Sequence, residues 1–204
     1  MTEVHRSERR RLLPNLPLPP YAHVPGLTPH PIRDVQGHSH GVESEPPEAI
    51  STSRWRESAP YLRGIDLFNY GYYWEAHEVW ESLWHVSGRV GTEADFLKGL
   101  IKLAAAAVKV REGVPNGAKK HARRARELFQ SVAMKKSPSE QFLGFAFREL
   151  IELAERLERL LTDSADSAGS IRATGSAGFP LPLELQPLDP NRATNRWPTR
   201  DGMP

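Results

Sequence analysis

Cysteine is absent from this chain, which excludes a disulfide framework, a thiolate metal site and a cysteine nucleophile, and makes a reducing cytoplasm the expected compartment. Long apolar runs are absent too. The longest, residues 103–108, is closed by Lys102 and Lys109 and is too short to span a bilayer. The basic start lacks the apolar stretch of a signal peptide, so no secretory leader is expected. Excess charge of one sign is small: 27 Lys and Arg stand against 25 Asp and Glu, for a formal net charge of +2. A polyanion or membrane partner must therefore be argued from local clusters and not from the whole.

Proline is nearly missing from the middle of the chain. Of 18 prolines, only Pro115 and Pro138 fall between residues 61 and 162, and each stands where a helix would begin. Because proline removes a backbone donor and clashes with the preceding turn, its absence marks the middle as helical. Period and caps give five helices. The first is expected from Arg56 to Tyr70, closed by Gly71, and the second from Tyr73 to Val86, stopping near Gly88. A third starts at Thr92, whose hydroxyl would form a capping box with Asp95, and runs to Gly113. The fourth begins at Pro115 and turns Ala118, Ala122, Ala125, Leu128, Phe129 and Val132 inward. Ser137, Pro138 and Glu140 read as cap, first turn and box of a fifth helix that ends near Leu161, burying Phe142, Phe145, Leu150, Leu153, Leu157 and Leu160.

Short connections favour antiparallel neighbours, so the expected fold is all-α: a compact bundle of about five antiparallel helices, or stacked helical hairpins, with extended proline-rich terminal segments. Residues 1–55 form a Pro- and His-rich extension, residues 56–162 the helical domain, and residues 163–204 a flexible linker followed by a Pro/Leu tail. Phe179 to Pro190 alternates proline and leucine and is expected to lie extended on the domain, with residues 191–204 disordered.

Two runs carry a resemblance. FNYGYYWEAHEVWESLW, Phe68 to Trp84, and FLKGLIKLAAAAVKVREG, Phe96 to Gly113, are similar to the domain-of-unknown-function family numbered 309. Its pattern falls on Asn69, Gly71, Glu75, Ala76, His77, Glu78, Glu81 and Trp84, then on Gly99, Leu100, Ile101 and Ala104, and the likeness covers about residues 60 to 130. Lys98 and Lys102 depart from it, standing where many members carry glutamine or another polar residue. The resemblance implies an all-helical bacterial protein and no established chemistry. Pro19 to Gly41 also resembles an extension found on some members, which implies that the first 50 residues pack against the bundle; their proline content alone points to disorder.

The hairpin of helices two and three holds the candidate site: Asn69, Tyr73, His77, Glu78, Glu81, Trp84 and Lys98. At 3.6 residues per turn His77 and Glu81 share a face, with Trp84 just beyond. The pair suits a hydrogen-bonded helix register, a polar and aromatic ligand pocket, or a metal. A zinc-protease helix would need histidine where Glu81 stands, and a di-iron bundle needs Glu-x-x-His on two helices, so no metal or other cofactor is expected. A non-catalytic binding or scaffolding module for an unknown protein or small ligand is the expected function, with homodimerisation open. The alternative is a small metal-assisted or acid/base hydrolase using His77, Glu78 and Glu81. A third reading is nucleic-acid contact through KKHARRAR, residues 119–126; its inward alanines make the arginines an ordinary solvated face, so nucleic acid is not expected. Five of eight histidines lie in residues 5–40, and a fold-back of the extension would bring His30 or His38 to His77 and Glu81.

Overall fold

A computed structural model describes residues 10–43, 45–136, 141–166 and 184–187, with backbone alone for 160–166. After a 3-10 turn at Trp55–Glu57 come α1 (Ala59–Asn69), α2 (Tyr73–Val86), α3 (Thr92–Arg111), α4 (Pro115–Lys135), a two-stranded hairpin of β1 (Gln141–Phe142) and β2 (Phe145–Ala146), and α5 (Phe147–Asp166). Successive helices pack on one another, with α3 between α2 and α4, and α5 closing against α4. The all-α bundle is therefore the fold. Among the described residues no helix is long and apolar enough to cross a membrane.

Glycine closes the helices where the sequence put it. At the end of α1, Gly71 has φ of 86°. Its N–H donates to the Phe68 carbonyl at 3.0 Å and Tyr72 N–H to Leu67 at 2.8 Å, the paired bonds of a Schellman motif that satisfy two orphan carbonyls. Gly113 ends α3 in the same way, with Val114 N–H on the Lys109 carbonyl. The core is dense and aromatic: Phe96 meets Phe129 and Phe142 edge-on at 5.7 and 5.3 Å. Alanines at 104, 106, 107, 122 and 125 are buried, which lets α3 and α4 approach closely.

Three sequence expectations are corrected. Helix α1 starts at Ala59, not Arg56, because Pro60 fits only a first turn and its ring would strike the carbonyl of residue 56 in a longer helix. Gly91 is the N-cap of α3 and no side chain caps it; Thr92 is already helical and Asp95 takes Lys135 Nζ at 2.8 Å. Helix α5 starts at Phe147 and runs to Asp166, past residue 163, where a linker was expected to begin. Phe142 and Phe145 are buried as expected, but from β1 and β2. Leu143 and Gly144, at φ of 49° and 88°, make the tight turn between them. The cap signal at residues 137–140, the burial of Leu160 and the expected disorder of 191–204 lie outside the described residues.

Candidate functional site

Helix α1 puts two polar residues, Asp66 and Asn69, on its buried side, and α2 adds Glu75. All three hold other parts of the chain. Asp66 accepts the N–H groups of Leu12 and Leu13 at 2.8 and 2.9 Å, with Arg11 Nε at 3.6 Å. Arg63 on the same helix donates to the carbonyls of Leu16, at 3.0 Å, and Pro17. Glu75 Oε1 accepts His23 N–H at 2.8 Å and lies 3.2 Å from His38 Nε2, which must carry the proton because a carboxylate offers none. His23 and His30 meet the Trp74 ring edge-on at 5.1 and 5.2 Å. The extension thus folds over α2, but His38 arrives at Glu75 and His30 at Trp74, not at His77 and Glu81.

Asn69 holds the opposite end of the chain. Its Nδ2 donates to the Leu185 carbonyl and its Oδ1 accepts Leu185 N–H, both at 2.8 Å. One side-chain amide therefore satisfies both backbone groups of one residue, as a neighbouring strand would. The Leu185 side chain is buried in the main core. Burying one leucine contributes about 1.5–3 kcal/mol, and two neutral hydrogen bonds add about 0.5–1.5 kcal/mol each. Ordering the backbone of residues 184–187 costs about 1–2 kcal/mol per residue. Over these four residues gain and cost are of similar size.

The other sequence-selected residues divide. Tyr73 is buried against Phe68, with the Arg111 guanidinium 4.7 Å from its ring centre. His77, Glu78 and Glu81 do come together: His77 Nε2 lies 3.7 Å from Glu81 Oε2, and one donor atom from each of the three falls within 4.8 Å of the others. Trp84, one turn on, has Lys98 Nζ 5.3 Å and the Arg89 guanidinium 5.5 Å from its ring centre.

Beside this cluster an open groove of about 540 Å³ is lined by Glu45, Pro46, Glu78, Glu81, Ser82, His85 and Val86. Glu45 and Pro46 come from the extension. Burial pushes the Glu78 carboxyl above its ordinary value, Glu81 pushes further the same way, and Arg33 opposes. Burial lowers His77, while the Glu81 carboxylate and a hydrogen bond with the Ile101 carbonyl counter it and Lys102 adds to the lowering. His77 is thereby kept neutral at pH 7, able to accept a proton or a metal through one ring nitrogen.

On α4, Lys119, Lys120, Arg123 and Arg124 line a second open groove of about 410 Å³ with Asn116 and Glu127. Glu158 of α5 takes Arg123 at 3.3 Å and Arg126 at 3.7 Å, which cancels part of that basic face.

Sequence reasoning passed over Asp66, and over Glu45 in the groove; it placed His85 on one stripe with Glu78 and Glu81, and weighed Ser82 only as a nucleophile. Asp66 had a signal: it stands beside Ile65 and three before Asn69, an acid on an apolar face that needs a buried partner. Glu45 had none, since only the tertiary fold brings it to α2.

Fold and site define a helical-hairpin domain that uses buried polar side chains to fasten the chain's own flanking segments. The model of the family described as a domain of unknown function, DUF309, matches residues 61–121, from α1 into α4. No curated protein and no solved structure matches the chain.

Proposed function

We propose that the protein is a non-catalytic binding module whose groove along α2 receives a cationic group of a partner protein or small ligand. One observation carries this reading: Glu78, Glu81 and Glu45 converge on one open groove while Glu78 is held half-buried beside Glu81. Like charges gathered in a partly desolvated place repel, and an arriving cation relieves that repulsion. The absence of cysteine favours a reducing, cytoplasmic setting. The test is titration of the full chain with an arginine-bearing peptide at low ionic strength. Binding should weaken with salt, fall at least tenfold in Glu78→Gln with Glu81→Gln, and be unchanged in Arg124→Ala. Binding that ignores both acidic substitutions defeats the proposal.

A divalent metal is the second reading, favoured by the donor separations at His77, Glu78 and Glu81, which suit ligands about 2.0–2.2 Å from one ion. This is the route to a metal-assisted or acid/base hydrolase. Zinc titration with His77→Ala alongside separates the two: metal uptake that needs His77 supports the enzyme, and peptide binding that needs only the carboxylates supports the module.

A further inference from the structure

We propose that Asn69 is the anchor of a peptide-recognition site for extended, leucine-bearing segments of a partner protein, filled in this structure by the chain's own residues 184–187. The site is separate from the acidic groove and stands without it. Three observations point the same way. First, the amide of Asn69 holds both the backbone N–H and the backbone C=O of Leu185 at 2.8 Å, a pair of groups that any extended non-proline residue offers. Second, specificity has one pocket, the place in the core where the Leu185 side chain is buried. Third, the residues beside Leu185 stand partly open to solvent, with Gln186 exposed and Glu184 and Pro187 half-buried.

This recognition is peptide addition reduced to one rung: the receptor supplies a side-chain amide in place of a strand edge. It carries two rules for a ligand. The anchored residue cannot be proline, because Asn69 Oδ1 needs its N–H. A proline two residues on, as Pro187 follows Leu185, favours the ligand by pre-extending the residue before it and lowering the ordering cost. The chain's own segment then acts as a tethered competitor: its presence at high effective concentration weakens any outside peptide, and its release uncovers the site.

The experiment uses the full chain and a fluorescein-labelled peptide of sequence PLPLELQPLD, read by fluorescence anisotropy. The wild-type chain should bind weakly, and a Leu185→Ser chain, whose own segment no longer fills the pocket, at least tenfold more tightly. Asn69→Ala in that background should return affinity to the wild-type level or below. The same peptide with proline at its anchoring leucine should fail to bind any of them, which tests the amide bond without altering the protein. Equal affinity of wild type and Leu185→Ser, indifference to Asn69→Ala, or binding of the proline peptide would each overturn the proposal. So would loss of the folded state in Leu185→Ser, or a Leu185 amide that exchanges with solvent only on global unfolding, because the segment would then be a fixed part of the core.

Discussion

Replacing Asp66 by asparagine should loosen the N-terminal extension from the helical domain while leaving the helices formed. Asp66 is fully buried, and its carboxylate accepts two successive amides, from Leu12 and Leu13, at 2.8 and 2.9 Å. Asparagine keeps the size and one accepting oxygen, but turns an NH₂ toward the other amide and removes the charge facing Arg11. A hydrogen bond to a charged acceptor contributes about 1.5–3 kcal/mol, and a buried amide left facing a donor costs about 1–3 kcal/mol. The expected loss is about 3 kcal/mol, which for a domain of this size lowers Tm by about 6–12 °C. Hydrogen exchange resolved at single residues separates the two consequences: protection should vanish at Leu12 and Leu13 and persist in α3. A loss under about 1 kcal/mol, or unchanged protection at those two amides, would refute the view that Asp66 is the fastening.

Gly64 lies under the Trp80 indole, where an added Cβ would overlap the ring, so Gly64→Ala should destabilise by about 1–3 kcal/mol in urea melts, despite alanine's better helix propensity. Acidification gives a signed test. Burial lowers His23, His77 and His121 from 6.5, so the unfolded chain binds more protons just below pH 6.5, and stability should fall as pH drops through that window. His77→Gln should flatten that slope, measured as the urea midpoint between pH 7 and 5.5. Glu78 acts oppositely: its carboxyl is raised above 4.5, so its charged form costs stability as pH rises from 4.5, and Glu78→Gln should stabilise the chain at pH 7. Glu158→Gln removes partners of Arg123 and Arg126 that are half-exposed, so it should cost under about 1 kcal/mol in thermal melts, yet tighten heparin retention if Glu158 masks the basic face.

The parts of this fold that were legible in the sequence are those decided within a few residues. Gly71 and Gly113 close helices through bonds that reach only three to five residues back, and Pro115 opens one by its own ring. The β1–β2 hairpin was hidden for the opposite reason. Nothing near Leu143 requires a left-handed leucine; its carbonyl is taken by the Tyr61 hydroxyl at 2.8 Å, and Trp55 lies close against Gly144, both from more than 80 residues earlier. A strong local cap signal at Ser137 to Glu140 then spoke for a helix that begins only at Phe147.

The candidate site divides along the same line. His77 and Glu81 could be paired on paper because helical periodicity sets i, i+4 neighbours, whereas Glu45 reaches their groove only through the fold of the extension. Asn69 was singled out by its place in a motif, but its hold on Leu185 was unreadable, since Leu185 lies 116 residues away and meets it through backbone groups. A side chain that binds another segment's N–H and C=O leaves no complementary residue type to find. That is also why such contacts can be exchanged: an occupant need supply only an extended backbone and, for the Asn69 site, a leucine. The helical domain commits Asp66, Asn69, Glu75 and Arg63 to backbone groups of its own flanking segments. At these backbone contacts the flanks tolerate change in their sequence better than the domain tolerates change in these four side chains; at Arg11, His23, His30 and His38, whose own side chains meet Asp66, Trp74 and Glu75, they do not.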